Sequence, residues 1–482
     1  MIHVDCGSGR GSRAGFSRRD FLRIGTLGLG GLTLGGVRSV EAAASSASSF
    51  VRGKSIVLLY LSGGASHIET FDPKMTAPEG VRSITGEVLT NVPGMTFGGT
   101  FSRLAKHADK LAVVRSFTHP VGGHVQAHSH VLSGGLDEDG NQQRGFSMGS
   151  AYARIRGANH PDNGLPTYAL LTEEEIDSQY RNERGRVQRG SWPGSLGPSF
   201  APFGQSIGWR PPGPKSKTGR KKSTGNPLAD SMTLNIPRDA LEDRLALLRA
   251  IDRIDRRLDA TGTMDAVDKF SAQAVDLLLG GAADAFDVTL EDPRLIQKYD
   301  TSHIPIGKKV FRPSTLGKQF LLARRLCEAG CGFVTIHSAG WDMHADGNNP
   351  GMLTGMDMLG RSLDQALSAF LEDVEQRGLS DDILFVLTGD FGRTPKINAR
   401  GGRDHWPRLC TLAFAGGGLK MGQVVGQSAR GADVPASEPI GPKNLMATIM
   451  HTLFDVGQVR VQTALPRALL KQLEQADPIR QL

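Results

Sequence analysis

The stretch that most restricts the fold of this chain is Ile383 to Trp406, ILFVLTGDFGRTPKINARGGRDHW. Ile383 to Thr388 form an unbroken apolar run rich in β-branched residues, and Gly389 ends it. A strand with no alternating polar face is buried on both sides, as in a parallel sheet covered by helices. Sheets of that kind place their sites just beyond the carboxyl ends of the strands. Asp390 occupies that position here, and after a Gly-Gly turn the chain returns Asp404 and His405.

The same pattern occurs about fifty residues upstream. Gly332 to Ser338 (GFVTIHS) reads as a strand that runs into Ala339-Gly340-Trp341-Asp342-Met343-His344. Each of the two strand ends therefore offers an Asp and each nearby loop a His. Neutral imidazole and carboxylate together suit a divalent cation such as zinc, manganese or iron. Between the strands, Met356, Leu359, Leu363, Leu367, Phe370 and Val374 mark one face of a long helix closed by Gly378. Strand, helix and strand in that order predict a parallel crossover that brings Asp342 and Asp390 to one rim.

Two further strand ends carry polar groups. Ser55 to Leu61 (SIVLLYL) runs into Ser62-Gly63-Gly64-Ala65-Ser66-His67, where the glycines allow close approach and Ser66, His67 and Asp72 are presented. Leu111 to Phe117 reads as another strand, and four of the thirteen histidines follow it at His119, His124, His128 and His130. If Gly122-Gly123 caps a helix start, His124 and His128 share a face and His130 points elsewhere. Metal ligation or charge stabilisation is one reading of the cluster, and a solvated polar helix start is the other. His451 reads as a packed side chain, and Asp137-Glu138-Asp139 as a solvated loop, because calcium loops alternate their acids with spacers.

The amino terminus is read apart from the fold. Ser17-Arg18-Arg19-Asp20-Phe21-Leu22-Arg23 resembles the twin-arginine export motif. Ile24 to Val37 follow as a weakly apolar segment, shorter than the ~20 residues a membrane-spanning helix needs. Ala42-Ala43-Ala44 offers a small-residue cleavage site. The expectation is a signal peptide over 1–44, the twin-arginine machinery as export partner, a mature chain from about Ser45 with no membrane span, and a periplasmic or secreted location.

Charge is uneven along the chain. Arg181 to Lys222 holds ten Lys or Arg against one acid, Glu183, so the formal net charge of +7 is local and the remaining body is net negative. That segment is rich in Gly, Pro and Ser and lacks a platform of interleaved aromatics, so a solvated basic loop insertion at about 181–235 is expected and no nucleic-acid partner. Outside it, 45–482 reads as one domain. Helices are expected over Leu241 to Leu258, Phe270 to Leu279, Thr315 to Ala329 with Ser314 as N-cap, Asn444 to Phe454, and Ala464 to Leu473. Three cysteines remain beyond the signal. Cys327, Cys331 and Cys410 are no disulfide framework and read as small buried side chains.

SGGASHIETFDPK, GWDMHADG and GDFGRTPKINARGGRDHW together resemble the bacterial family called domain of unknown function 1501, within the alkaline phosphatase and sulfatase superfamily. The likeness spans about Lys54 to Phe454. It implies an α/β, alkaline phosphatase-like fold: a mostly parallel central sheet with helices on both faces and metal at the strand ends. By the same resemblance Asp342, His344 and His405 hold one metal, with Asp390 towards a second, zinc being the expected cation and manganese or calcium the alternatives. Phe391 stands where the superfamily carries a further His, Ser62-Gly63-Gly64 where it carries an acid, and Gly122-Gly123-His124 at the helix start where it carries the nucleophile, which points away from a two-metal covalent mechanism. Two functions follow as expectations. One is an exported metal-dependent hydrolase of small-molecule or polysaccharide phosphate or sulfate esters, with Ser66 as nucleophile, His67 as its base, His124 at the helix start and Arg393 gripping the anion. The other is a catalytically inactive secreted binding or assembly protein that keeps the fold and one ion.

Overall fold

In the computed structural model of this chain, residues 50–137, 145–173, 177–207 and 282–482 are described. The expected signal peptide, the expected helices near 241–258 and 270–279, and Glu138 and Asp139 lie outside the described residues.

The apolar run that opens the sequence argument lies at the centre of the molecule because every one of its residues can be covered. Strand β1 (Ser55–Leu61) sends Val57, Leu59 and Leu61 to one core and Ile56, Leu58 and Tyr60 to the other. Strands β2 (Leu111–Val114), β3 (Tyr168–Glu173), β4 (Phe203–Ile207), β5 (Phe333–Ser338), β6 (Ile383–Gly389), β7 (Leu412–Gly416) and β8 (Gln423–Val425) complete an eight-stranded sheet in the order β8-β2-β7-β6-β1-β5-β3-β4. β1 pairs in parallel with β6 on one side and β5 on the other, from Ser55 opposite Ile383 to Leu61 opposite both Gly389 and Ser338. β3 and β4 continue the parallel run. Only β7 is reversed, antiparallel to both β6 and β2, and β8 lies parallel to β2. The sheet is therefore mostly parallel.

Helices cover both faces. Helices α1 (His124–Leu132), α2 (Met148–Arg156), α3 (Ser178–Gly190), α4 (Leu316–Glu328), α5 (Arg361–Gln376) and α6 (Pro442–Leu453) are the longer ones. α4 and α5 pack on the face of Val57 and Leu59; α2 and α6 pack on the face of Ile56 and Leu58. Burying one Leu or Phe in such a layer contributes roughly 1.5–3 kcal/mol, which is why an all-apolar strand settles between two helix layers. α5 is preceded by the short helix Met352–Gly355 and a π-helical turn, Met356–Gly360, so the helix between β5 and β6 is longer than its apolar stripe indicates. Thr315, not Ser314, is the N-cap residue of α4, though the Ser314 hydroxyl accepts from Leu316 N at 3.3 Å. No helix among the described residues is long and apolar enough to cross a membrane.

The expected basic loop is corrected over its first part. Residues 178–207 form α3, two 3-10 turns and β4, which extends the sheet at its edge; 208–235 lie outside the described residues. α3 buries Tyr180, Glu183, Val187 and Gly190, spaced to share one side of the helix. Two of those four are neither aliphatic nor aromatic, so the face carries little hydrophobic signal although it packs against α1. At Gly190 an added Cβ would lie 2.8 Å from Leu132 Cδ1 and 2.9 Å from the His128 carbonyl oxygen, which shows how closely the two helices approach.

Candidate metal centre

β1, β5 and β6 run side by side in the same direction, so the residues after them reach one edge of the sheet. Beyond β5 the turn to Asp342 is held by Trp341, whose N–H donates to the Ser62 carbonyl at 3.0 Å and whose indole donates to Ser338 Oγ at 3.0 Å. Gly63 has φ +103°, and a Cβ there would come within 2.3 Å of Asp342 N. A glycine is required for β1 and this turn to touch. Beyond β6, Gly392–Arg393 pairs with His405–Trp406 in a two-stranded ribbon that carries His405 back to the rim. Gly402 in the same loop packs against the His344 carbonyl, where a Cβ would meet it at 2.2 Å. α1 starts at Gly123, and its first residue, His124, faces the same spot.

His344 and His405 approach with their Nε2 atoms 2.9 Å apart, and these lie 2.9 and 3.4 Å from Asp342 Oδ1. The partners on the other side of each ring fix the protons. His344 Nδ1 is 3.0 Å from Asp404 Oδ1 and His405 Nδ1 is 3.1 Å from the Gly122 carbonyl, and both partners only accept. Each Nδ1 therefore donates, and in the neutral rings both Nε2 lone pairs point at one another and at a carboxylate oxygen. Arg393 donates to Asp342 Oδ1 at 2.5 Å and to His344 Nε2 at 3.3 Å, which leaves the His405 Nε2 lone pair facing two acceptors unless a proton or a metal ion lies among the three atoms. Burial, only partly offset by the bond to Asp342 and reinforced by the Arg393 charge, lowers the pKa of His405 and so disfavours the proton. Two imidazoles and a carboxylate, with each Nδ1 tied to a carbonyl or carboxylate, form a donor set that fits a zinc-type ion.

His124 completes the group. Its Nε2 lies 3.3 Å from Asp342 Oδ2, its Nδ1 is 2.5 Å from Asp390 Oδ2, and ligating atoms of His124, Asp342 and His405 all fall within 4.8 Å of one another. Burial opposes a charge on His124, but Asp390 and Asp342 outweigh it and raise its pKa to about 9. Burial also works against the Asp342 carboxylate, yet bonds from His124, His344 and His405 and the Arg393 charge hold it far below the usual carboxyl range. The two carboxylates thus have different roles. Asp342 is the shared corner, whereas the fully buried Asp390 stands behind His124 and orients its ring.

Several expected residues are placed differently. Arg393 is fully buried, and its guanidinium is engaged by Gly64 O at 2.8 Å, Arg403 O at 3.2 Å, Gly63 O, Asp342 Oδ1 at 2.5 Å and His344 Nε2 at 3.3 Å. With its donors turned inward it clamps Asp342 rather than an incoming anion. Ser66 is the N-cap of the one-turn helix His67–Thr70, accepting from Glu69 N at 3.4 Å. His67 Nε2 meets the Ala432 carbonyl at 3.0 Å, and burial, only partly offset by Asp72, lowers its pKa to about 4. Asp72 bonds Ser428 and faces Arg115 and Lys74 at 3.5 Å. His119 and His130 pack ring to ring at 5.5 Å.

The site also includes groups that motif reading passed over. Asn398 Nδ2 donates to the His344 carbonyl at 3.1 Å. From α3, Gln179 Nε2 reaches Asp342 Oδ2 at 3.4 Å and Glu183 Oε2 accepts from Gly340 N at 2.6 Å. Burial is the main cause that raises the Glu183 pKa, to about 8. A lone acid within a basic run was the available signal for Glu183.

Comparison with known proteins gives a family and a set of similar folds. The family described as protein of unknown function (DUF1501) matches residues 53–463. No curated protein sequence matches the chain. Among solved structures, the lipoteichoic acid synthase LtaP from Listeria monocytogenes is 10% identical, with 84% of this chain and 72% of that one covered and a TM-score of 0.38. The PsFucS1 sulfatase from Pseudoalteromonas sp. is 10% identical, with 90% and 72% covered and a TM-score of 0.37. The alkaline phosphatase from the Antarctic bacterium TAB5 is 10% identical, with 77% and 95% covered and a TM-score of 0.32.

Proposed function

The chain belongs to the DUF1501 family, and on that footing we propose that it is an exported, metal-dependent hydrolase of phosphate or sulfate esters. The observation that carries this reading is the convergence of His344 Nε2, His405 Nε2 and Asp342 Oδ1, with both Nδ1 protons directed away from them. His344, His405 and Asp342 would hold the ion, with His124 beside them. A divalent cation there supplies Lewis acidity towards an ester oxygen and towards water.

The protein's own groups prepare the site for an anion. Asp342, Asp390 and Asp404 bring three negative charges, and Arg393 and the protonated His124 two positive, so a dication leaves the pocket net positive and in need of an anionic partner. α1 begins at the exposed Gly122-Gly123 with no side chain capping its first turn, so backbone N–H groups are free to receive an oxyanion there. Asp390 holds the His124 ring, and Gln179 holds the second oxygen of Asp342. We assign the nucleophile to water, since the Ser66 hydroxyl is buried and spent on a helix cap. The twin-arginine segment at Arg18-Arg19 supports export.

One observation favours the second reading, a binding protein without turnover: Arg393, the cation nearest the ion site, faces inward. A panel of chromogenic phosphate and sulfate esters with zinc, manganese or calcium separates the two. The hydrolase reading predicts metal-dependent turnover that Asp342→Ala abolishes. Stoichiometric metal binding with no turnover of any ester would overturn it in favour of the binding protein.

A further inference from the structure

Beneath the metal centre, on the sheet face covered by α1, a serine hydroxyl lies between two histidines. Ser62 is the residue after β1 and is completely buried. Its backbone joins two neighbours, the N–H donating to the Ser338 carbonyl at 2.8 Å and the carbonyl accepting from Trp341 N at 3.0 Å. Its side chain joins two more: Oγ is 2.9 Å from His128 Nε2 and 2.9 Å from His337 Nε2.

The direction of each bond follows from the ends of the chain. His128 Nδ1 lies 2.6 Å from the His124 carbonyl, which can only accept, so Nδ1 donates and Nε2 is left with its lone pair. The Ser62 hydroxyl therefore donates to His128, and its oxygen accepts from the N–H of His337. His337 is anchored in β5, in register with Tyr60 of β1, and the Tyr60 and His128 rings lie 5.1 Å apart. One polar line thus runs from β5 through Ser62 to the first turn of α1. At its far end His128 Nδ1 lies 3.7 Å from Asp390 Oδ2, the oxygen that His124 Nδ1 engages.

We propose that Ser62 is a positioning residue for His124: the His337–Ser62–His128 line pins the carbonyl and ring orientation of the first turn of α1, so that His124 Nε2 meets Asp342 at the ion site. The proposal rests on the metal-centre reading. No member of this line is among the residues that would hold the ion, so its effect reaches the site through His124 and through Asp390, whose Oδ2 lies 3.7 Å from His128 Nδ1. Outer partners of metal ligands commonly change affinity by about 10–100-fold when removed.

The test is cobalt(II) titration followed by visible absorption, on Ser62→Ala and on the isosteric pair Ser62→Thr and Ser62→Val. Thr and Val crowd the site equally and differ in the hydroxyl. Thr335→Val, a fully buried hydroxyl on the same sheet face, is the control for general destabilisation. We expect Ser62→Ala and Ser62→Val to bind cobalt at least about tenfold more weakly, with an altered ligand-field band, while Ser62→Thr and Thr335→Val stay near wild type. Nitrogen NMR of the metal-free protein should show the Nδ1–H tautomer at His128 in both proteins, with the His128 Nε2 resonance shifted towards that of an unbonded acceptor in Ser62→Ala. Equal affinity and spectra for the Thr and Val variants would overturn the role of Ser62 while leaving the metal centre standing. Failure of wild type to bind cobalt would overturn both.

Discussion

Glu69 and Arg403 illustrate how single residues far apart in the chain decide whether the site exists. Both are fully buried and bond to each other at 2.8 Å. The rest of the guanidinium is taken by the carbonyls of Val81 at 3.1 Å, Arg82 at 3.2 Å, Thr394 at 3.2 Å and Pro395. Glu69 in turn accepts from Ser83 Oγ at 2.7 Å and Ile84 N at 3.2 Å. The pair therefore joins the segment after β1 to the loop that returns His405, and it gives a physical reason for two charged residues within the recognised motifs that no chemistry had claimed. Removing one partner of a buried ion pair leaves the other charge unpaired, which costs about 3–5 kcal/mol. Glu69→Ala should lower stability by that amount in chemical denaturation, whereas Glu69→Leu with Arg403→Leu should cost less than the two single changes added together. A loss below about 1 kcal/mol for Glu69→Ala would mean the pair does not hold the loop.

At the level of elements, legibility tracked apolar pattern. β1, β5 and β6 were readable almost to the residue because burial on both faces demands an uninterrupted apolar run, and the crossover between β5 and β6 made the meeting of Asp342 and Asp390 at one rim predictable. β2 is shorter than expected, ending at Val114 where the polar Arg115 begins. The reversed β7, LAFAG, is too short and too rich in small residues to stand out. α3 was hidden for a different reason: its inner face is completed by Glu183 and Gly190, and its four arginines, with six more cations between Arg210 and Lys222, read as a solvated loop. That omission removed Gln179 and Glu183 from the expected site. The candidate residues after the strands, Asp342 and Asp390, could be read from the sequence, whereas the contacts of Ser62, His337 and Asp404 could not, because these acquire meaning only from the proton directions that folding imposes.

For the whole molecule, the balance of buried histidines and acids sets the pH response. Burial is the main cause that lowers His67, His119 and His128 to about 4 and His337 to about 3, against an ordinary value of 6.5. Below 6.5 the unfolded chain takes up protons that the native protein refuses until about pH 4, so these four lose stability as pH falls through that window. Glu183, raised by burial to about 8, acts in the opposite sense: the native state keeps a proton that the unfolded chain releases above 4.5, and this contribution is lost as pH rises towards 8. The four lowered histidines, against Glu183 and the raised His124, whose contribution is likewise lost as pH rises above 6.5, predict a denaturation midpoint that peaks near pH 6.5 and falls steadily towards pH 4.5. A flat profile between 4.5 and 6.5 would show that the histidines are not held neutral. The sheet, the rim and the buried shell all serve one pocket, and the direct check on that pocket is the metal content of the purified protein by elemental analysis. About one equivalent of a divalent transition metal in wild type, lost in both Asp342→Ala and His405→Ala, is the predicted result. A wild-type protein that carries none after growth and dialysis with zinc or manganese, or variants that keep it, would contradict the account.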